Sequence, residues 1–567
     1  MKIPKKNYEK GITLTALIIT IIVLIILTTV SINILFGKNG LITMTQTAAN
    51  MYKESEQNEL AILNDFLIDQ PLTAKEMISK IQLGWSLGNT LECYYSTSYE
   101  GKTVEDFETH WKNPITSKQL IDTIKNKGFN TLRIPVTWYQ HLDMEGNIDP
   151  KWLARVKEII DYGIQNNMYV IVNTHHEKWF NLDGSVSETE LQEKLNKIWK
   201  QIADEFKDYS YKLIFEVLNE PRNIDALDEW VGNNSSYEKL NRIEKNVLKT
   251  IRNSGGNNNK RCVLLPVYAA TIDNKTLDNF EIPQDNYVII SVHSYSPSNF
   301  TKSSTEVYSN STVRHIETVY NLLDDFIKKN PDIAILLVET GCYKKEDGIS
   351  QIKWAHRMMT ILGRLKIPCI IWDNGDNFNL INRDTLAWND ENLINTIFTS
   401  YKEAIENNNN TKINILSNIN EETVSISYNK NIENLIMETQ IKESIRHFTL
   451  SSTNEYTGGT TLRFKFSDTY SLSGNDYYKL TAKIKTNMSE LKLKALIYFY
   501  DENDNLLYTG NYDTITPMID GSKNEYQISF PYYVEGAKKV RFDRISISSS
   551  YSGIIKFDLY DLQLIND

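Results

Sequence analysis

Two glutamates follow apolar runs of the sequence, where they could act together as an acid and a nucleophile. Glu220 comes after the run Leu213–Leu218, and Glu339 comes directly after the run Ile333–Val338. Both runs have the length and apolar character of buried β-strands. Two carboxyl groups roughly 5–5.5 Å apart across a glycosidic bond can hydrolyse it with retention of configuration. The pair therefore predicts this chemistry if the fold brings the two strand ends together.

Eight strand-like runs and the helical patterns between them supply such a fold. Helices are predicted at Thr116–Lys127, Trp152–Gln165 and Val313–Lys328, among others. We predict an α/β fold, a (β/α)8 TIM barrel over residues 72–405, whose strands all end at one mouth. A doubly wound sheet is the alternative, but no Gly-x-Gly-x-x-Gly follows the first strand. The predicted strands are Leu83–Leu87, Thr131–Val136, Tyr169–Asn173, Leu213–Leu218, Cys262–Val267, Tyr287–Val292, Ile333–Val338 and Pro368–Trp372.

Polar motifs accumulate at the C-terminal ends of these strands. They are Gly88-Asn89-Thr90, Arg133-Ile134-Pro135, His175-His176, Asn219-Glu220-Pro221, His293-x-Tyr295, Glu339-x-Gly341 and Trp372-Asp373-Asn374-Gly375. In these motifs and in their order the chain resembles glycoside hydrolase family 5, particularly its bacterial endo-β-1,4-glucanase branch. The resemblance covers the whole predicted barrel.

The resemblance implies that Glu220 is the general acid/base and Glu339 the nucleophile of a retaining endo-β-1,4-glucanase. The expected substrate is cellulose or a related β-glucan. Xyloglucan, mixed-linkage glucan, mannan and xylan are alternative substrates, and a non-catalytic glycan-binding surface protein is an alternative of another class. The substrate-binding and supporting residues that we expect are Asn89, Arg133, His175, His176, Trp179, Asn219, His293, Tyr295 and Trp372, with Trp138 a weaker candidate.

Two expectations concern protonation and metals. Glu220 must begin the reaction protonated, so we expect burial and the charge of Glu339 to raise the pKa of Glu220. His175-His176-Glu177 could suggest a metal site, but adjacent histidines on a strand point to opposite faces. We therefore expect no metal and no organic cofactor.

The N-terminus has the pattern of a membrane segment. Residues 11–37 carry no charge, and residues 12–34 form a helix pattern long enough to cover the ~30 Å hydrocarbon core. Four lysines precede it, so the N-terminus of residues 1–37 is predicted to lie in the cytoplasm. The rest of the chain is then predicted to lie outside the cell membrane. The segment also resembles a prepilin N-terminus cut after Gly11, although Ala16 stands where typical pilins carry Glu. A pilin-like subunit is a further alternative, and residues 38–71 are predicted to be a helical stalk.

In residues 411–567 the helical pattern gives way to short runs in which apolar and polar residues alternate. This pattern predicts an antiparallel β-sandwich. This domain contains no tryptophan but many tyrosines. The pattern favours a carbohydrate-binding module, with Tyr498, Tyr500, Tyr532 or Tyr533 as its aromatic platform. A spacer or cell-wall-contact domain is the alternative.

Charge and cysteine content limit the partners and the covalent links. The net charge of -11 argues against nucleic acid as a partner. Of the four cysteines, Cys262 and Cys369 lie in strand-like runs and are predicted to be buried thiols. Cys93 and Cys342 both fall at the predicted barrel mouth, where a disulfide between them is left open.

Overall fold

The structure, a computed structural model, describes residues 70–406 without a break. The chain divides into two compact units, Met1–Pro71 and Leu72–Asp567. Among the described residues no helix is both long and apolar enough to cross a membrane. Most of the predicted membrane span and of the predicted stalk lies outside the described residues. The other described residues are 19, 21–24, 27–28, 411–414, 425–427, 435–442, 445–452, 456–457, 460–465, 469–472, 477–487, 492–511, 525–549, 552–554 and 556–566.

Eight parallel strands form a closed barrel in which each strand pairs with its neighbour in sequence and β8 returns to β1. The predicted TIM barrel is therefore confirmed, and each of the eight predicted strands is present. β5 is the one that differs most, because it continues four residues past the predicted end. The strands are β1 Leu83–Leu87, β2 Thr131–Ile134, β3 Tyr169–Asn173, β4 Leu213–Glu216, β5 Val263–Thr271, β6 Val288–Ser294, β7 Ile335–Thr340 and β8 Cys369–Asp373.

Helix boundaries follow the capping residues of the sequence. The Asp149 side chain accepts a hydrogen bond from the Lys151 amide and Pro150 opens the helix, two residues before the predicted start. Gly128 ends another helix in the left-handed conformation, with φ of 120°. The helices are α1 Ala74–Lys80, α2 Val104–Glu108, α3 Lys118–Lys127, α4 Pro150–Gln165, α5 Glu188–Phe206, α6 Asn234–Asn253, α7 Asn274–Asp278, α8 Ser298–Thr301, α9 Asn310–Lys329, α10 Ser350–Leu365 and α11 Glu391–Glu406, with 3₁₀ turns at Tyr139–His141 and Gly256–Asn259.

The two faces of the strands bury different sets of residues. Ile214 and Leu336 belong to a cluster that includes Met77 of α1. Leu213 and Phe215 belong to the larger cluster that packs the strands against the outer helices. Because successive strand residues point to opposite faces, the first cluster fills the barrel interior and α1 lies against it.

The same alternation carries polar residues into the interior near the barrel mouth. Glu216 lies two residues after Ile214 on β4, and Arg133 on β2 and Ser291 on β6 donate hydrogen bonds to it. All three are fully buried, at 0% exposure. The upper layer of the barrel is therefore polar, and it lies directly below the residues at the strand ends.

All four cysteines are buried and free. The prediction of buried thiols at Cys262 and Cys369 is confirmed. Cys93 and Cys342 do not form a disulfide.

The described C-terminal segments form two antiparallel sheets of six strands each, which share one hydrophobic core, together with a two-stranded sheet. One sheet contains β10, β14, β15, β17, β18 and β20, and the other contains β9, β11, β12, β16, β19 and β22; we call this part the β-domain. Its strands are β9 Thr411–Asn414, β10 Ser425–Ser427, β11 Leu435–Lys442, β12 Ile445–Ser452, β13 Tyr456–Thr457, β14 Thr460–Lys465, β15 Thr469–Ser471, β16 Tyr477–Thr486, β17 Lys492–Tyr500, β18 Leu506–Asn511, β19 Tyr526–Tyr533, β20 Lys539–Ser549, β21 Ser552–Gly553 and β22 Lys556–Asn566.

The predicted tyrosine platform is not assembled as one surface. Tyr532 is fully buried in the core of the β-domain. The ring of Tyr533 packs against Tyr308 of the barrel, with 5.3 Å between ring centroids. Tyr498 lies under the guanidinium of Arg541, at 4.6 Å. At least two of the four candidate tyrosines therefore serve packing.

Candidate active site

The two glutamates singled out in the sequence meet at the mouth of the barrel. Glu339 lies on β7, and Glu220 lies in the loop that follows β4. An oxygen of Glu220, an oxygen of Glu339 and a ring nitrogen of His293 all lie within 4.8 Å of one another. Retaining glycosidases place their carboxyl groups about 5–5.5 Å apart, whereas inverting ones need roughly 6.5–9.5 Å to admit a water. The spacing fits a direct attack by one carboxylate.

Both oxygens of Glu339 are held by donors. The guanidinium of Arg133 donates to Oε2 at 2.9 Å, and the hydroxyl of Tyr295 donates to Oε1 at 2.8 Å. Burial, together with the negative charge of Glu339, raises the pKa of Tyr295 well above its usual value. Tyr295 therefore keeps its proton and stays a donor, so the carboxylate is fixed in one orientation.

Glu220 shares a proton with His293. His293 Nδ1 lies 3.0 Å from Glu220 Oε1 and 3.7 Å from Glu339 Oε2. Burial raises the pKa of Glu220, but the hydrogen bond and charge of His293 and the charges of Arg222 and Lys302 outweigh it, and the net pKa is lowered. The expectation of a raised pKa is wrong for the free enzyme, because His293, Arg222 and Lys302 together outweigh the effect of burial.

The proton is correspondingly held by the histidine. Burial lowers the pKa of His293, but the charges of Glu339 and Glu220 outweigh it and the net pKa is raised. The pair therefore carries one proton across a 3.0 Å hydrogen bond, within reach of Glu220.

Arg133 is anchored from below by Glu216, a residue that the sequence reasoning did not select. Arg133 donates from Nε and from a terminal nitrogen to Glu216, at 2.8 and 3.2 Å. Glu216 also accepts from Asn173 at 3.1 Å and from Ser291 at 3.2 Å. A charged residue inside the apolar run Leu213–Leu218 was the signal that could have identified it.

Asn219 is oriented by the same arginine. Its side-chain oxygen accepts a hydrogen bond from Arg133 at 2.7 Å. The amide nitrogen is then the end available as a donor to a sugar hydroxyl, and Asn219 lines the cleft beside Glu220. The predicted role of Asn219 thus has a geometry that supports it.

His175 and His176 both lie in the cleft, which contradicts the expectation that they point to opposite faces. β3 ends at Asn173, so the pleat of a strand does not apply to them. Their ring centroids are 4.5 Å apart. Burial lowers the pKa of His175 well below its usual value, and burial together with Lys178 lowers the pKa of His176 to about 4. Both rings are therefore neutral near pH 7.

Trp372 is half-buried at the end of β8 and faces the cleft. Its indole is nearly parallel to the ring of His175, at 5.9 Å and 5°. A Cβ atom at Gly88 would lie only 2.7 Å from the indole, so the glycine makes room for it. Asn89 follows in the left-handed conformation and also lines the cleft, while its amide donates to Glu92.

Trp179 and Trp138 are not brought to the cleft. Trp179 packs against the barrel core, and its indole N–H donates to Glu177 at 2.9 Å. Trp138 is fully buried and donates to the Asn173 carbonyl. Trp179 stays a predicted substrate-binding residue, although its partly buried ring packs against the core.

Trp230 is the cleft tryptophan that the sequence did not reveal. It is 51% exposed in the loop between β4 and α6 and lines the cleft. The guanidinium of Arg222 lies 4.4 Å from its ring centroid, and the same guanidinium reaches Glu220 at 3.3 Å. The loop has no periodic pattern, so nothing in the sequence distinguished this indole from an ordinary loop residue.

The cleft that contains these residues is open and has a volume of about 1060 Å³. Glu220, His293 and Glu339 also have the donor composition of a cation site. Both oxygens of Glu339 already accept hydrogen bonds, however, and Arg133 would repel a cation placed there. The arrangement fits acid–base and nucleophilic chemistry better than metal binding.

Comparison with known proteins agrees with this geometry. The family model described as cellulase (glycosyl hydrolase family 5) matches residues 96–378. Endoglucanase B of Ruminococcus albus is 38% identical over 367 residues, which are 62% of this chain and 86% of that protein. The chain belongs to glycosyl hydrolase family 5.

Further relatives give the extent of the family 5 match. Endoglucanase A of Clostridium longisporum is 38% identical over 59% of this chain, and the match spans 66% of that protein. The solved structure of a GH5-4 broad specificity endoglucanase from Clostridium longisporum is 35% identical, with a TM-score of 0.56, covering 59% of this chain and all of that chain. The family 5 barrel is a glycoside hydrolase, and the resemblance seen in the motifs is confirmed.

Proposed function

We propose that the protein is a retaining endo-β-1,4-glucanase acting on cellulose or a related β-glucan. The observation that carries the proposal is the approach of Glu220 and Glu339 to within 4.8 Å, with both oxygens of Glu339 fixed by donors. An open cleft, rather than a closed pocket, suits attack within a long polymer.

In the first step Glu339 attacks the anomeric carbon while Glu220 gives a proton to the leaving oxygen. His293 supplies that proton across the 3.0 Å hydrogen bond, so Glu220 need not hold it in the free enzyme. The bond to the leaving sugar breaks and a covalent glycosyl–Glu339 ester forms. In the second step Glu220 removes a proton from water, whose oxygen displaces Glu339 with a second inversion.

The first test measures reducing-sugar release by the full chain from carboxymethylcellulose, barley β-glucan, xyloglucan, mannan and xylan. Glu339→Ala is the blank, and Glu306→Ala, an exposed glutamate outside the reacting pair, is the matched control. Cleavage of carboxymethylcellulose by the wild type and Glu306→Ala but not by Glu339→Ala supports the proposal. Activity only on a branched or mannose-based polymer would change the substrate, and no activity on any polymer would favour a glycan-binding protein.

A second test separates the two carboxyl roles. Glu339→Ala with azide and an activated aryl cellobioside should give the α-glycosyl azide, because azide occupies the space of the lost carboxylate. A β-glycosyl azide would mean that the roles are exchanged. Glu220→Gln should keep activity on a good leaving group and lose it on polymer.

The broader substrate range is a second candidate, favoured by one observation. The solved relative at 35% identity is named a broad specificity endoglucanase. Comparable rates on barley β-glucan and xyloglucan in the same panel would support this range. We expect chelation with EDTA to leave the activity unchanged, since no metal takes part in the proposed steps.

We also propose that residues 12–34 anchor the enzyme at the outer face of a cell membrane. The uncharged stretch and the preceding lysines support this proposal. Activity of the full chain should sediment with membranes and resist carbonate extraction. Release of the full-length chain by carbonate would contradict the anchor, and a mass shift at Gly11 would indicate prepilin-type processing.

A further inference from the structure

The β-domain is fixed to the barrel by specific contacts at the start of α9. The Asn310 side chain accepts a hydrogen bond from the Tyr533 amide at 2.7 Å and donates to its carbonyl at 3.2 Å. The hydroxyl of Tyr308 lies 3.2 Å from that of Tyr477. Two such hydrogen bonds between one side-chain amide and one backbone peptide fix the position of the β-domain on the barrel. They are not expected of a domain joined only by a flexible linker.

A buried charge cluster lies in the same interface. Glu317 of α9 is 2% exposed and accepts hydrogen bonds from Arg357 of α10, at 2.7 Å, and from Lys479 of β16. The carboxylate thus depends on one cation from the barrel and one from the β-domain. Removal of one cation from a buried carboxylate strongly lowers the free energy of unfolding. The barrel and the β-domain are therefore coupled energetically through Glu317.

The contacts continue from the interface to the wall of the cleft. The ring of Tyr308 packs against Phe300 in α8, with 6.1 Å between centroids. The ammonium of Lys345 donates to the Phe300 carbonyl, which is a second contact that holds α8. Next to Phe300, Thr301 donates to the carbonyl of Tyr295 at 2.8 Å, and Tyr295 holds the nucleophile.

The segment that receives this support lines the cleft. Ser298, Asn299 and Lys302 all face it, and the ammonium of Lys302 lies 5.1 Å from the ring centroid of Tyr295. A shift of Tyr308 would therefore reach the substrate-facing wall through one intervening side chain.

We propose that the β-domain positions the active-site wall: Tyr477 and Tyr533 hold Tyr308, and Tyr308 holds the segment 298–302 against the substrate. Tyr308 and Tyr477 are positioning residues, because neither touches the reacting atoms. This inference rests on the proposed function, since it assigns the wall to binding of the β-glucan.

The test is a double-mutant cycle on the full chain, with Tyr308→Ala, Tyr477→Ala and the double variant. Each single variant should lower kcat/KM on barley β-glucan about three- to tenfold, mainly through KM, as expected from loss of one aromatic contact. The double variant should be no worse than the more affected single variant, because both act through the same contact. Tyr477→Phe keeps the ring and should retain about half of the wild-type kcat/KM.

Leu506→Ala is the control, because Leu506 is exposed on β18 in the other sheet of the β-domain. It should leave kcat/KM unchanged. Additive losses in the double variant, an unchanged KM in Tyr477→Ala, or an equal loss in Leu506→Ala would overturn the proposal. A fall in kcat and melting temperature with an unchanged KM would likewise indicate only a structural role.

Binding measurements separate this inference from the proposed function. In the Glu339→Ala background, calorimetry with a β-1,4-linked glucose tetramer reports the wall without catalysis. If the wild type releases no reducing sugar, the proposed function fails. The wall inference then stands if Tyr477→Ala weakens tetramer binding about three- to tenfold and falls if binding is unchanged or absent.

Discussion

Replacing Glu216 by Gln tests whether the buried ion pair below the nucleophile stabilises the active site. Glu216 is fully buried and accepts four hydrogen bonds, two of them from Arg133. Gln has the same size but no charge, and its NH2 group would face donors of Arg133, Asn173 or Ser291. Steric change is small, so the effect measures charge and hydrogen bonding.

The expected loss of stability in Glu216→Gln depends on the partners that Arg133 keeps in the variant. Breaking a buried ion pair costs about 3–5 kcal/mol when the surviving charge is left alone. Arg133 keeps Glu339 as a partner at 2.9 Å, so we expect a cost below that range, about 2–3 kcal/mol in the free energy of unfolding. Activity should also fall, because Arg133 orients both Glu339 and Asn219.

The assay is urea-induced unfolding of the full chain, followed by near-UV circular dichroism and by residual activity. Asp204→Asn is the control, since Asp204 pairs with Lys200 on the surface of α5 and its loss should change stability by less than about 0.5 kcal/mol. Ser291→Ala removes a single bond to Glu216 and should cost about 1 kcal/mol. A Glu216→Gln protein as stable as Asp204→Asn would refute the reasoning.

Three further predictions concern the cleft. His293→Gln should move the alkaline limb of the pH profile of kcat/KM to lower pH. In the wild type the raised pKa of His293 retains the shared proton, whereas in the variant Glu220 alone must hold it. An alkaline limb that stays in place would contradict the shared proton. Trp230→Ala should raise KM for β-glucan about tenfold with little change in kcat, as for loss of one stacking platform, and an unchanged KM would exclude the indole from substrate binding. Gly88→Ala should displace the indole of Trp372 and so lower kcat/KM at least about tenfold. Quenching of tryptophan fluorescence by iodide would report the displacement. Unchanged quenching and unchanged activity would show that the indole adapts to the new methyl group.

The sequence predicted the barrel and the central pair because both depend on local patterns. Strands buried on both faces are continuous apolar runs, and the motif residues at their C-terminal ends converge once the barrel closes. Glu220, Glu339, Arg133 and Tyr295 are accordingly brought together.

Residues whose role depends on the path of a loop were not predictable in the same way. Trp179 sits close to His175 and His176 in sequence, yet its ring packs against the core because Glu177 accepts its N–H. Trp230 reaches the cleft through a loop of no regular pattern. The lowered pKa of Glu220 depends on the hydrogen bond and charge of His293 and on the charges of Arg222 and Lys302, whose positions around the carboxyl group only the folded chain defines.

The rigid attachment of the β-domain also sets a distance. A binding module on a flexible linker searches a volume around its catalytic domain, and its effect depends on linker length. Here Asn310 and Tyr533 join the two parts directly, so any glycan surface on the β-domain would lie at one fixed separation and angle from the two glutamates. Such a surface would select the point of cleavage by its fixed distance from the active site. A flexibly linked module would instead mainly raise the local concentration of the polysaccharide.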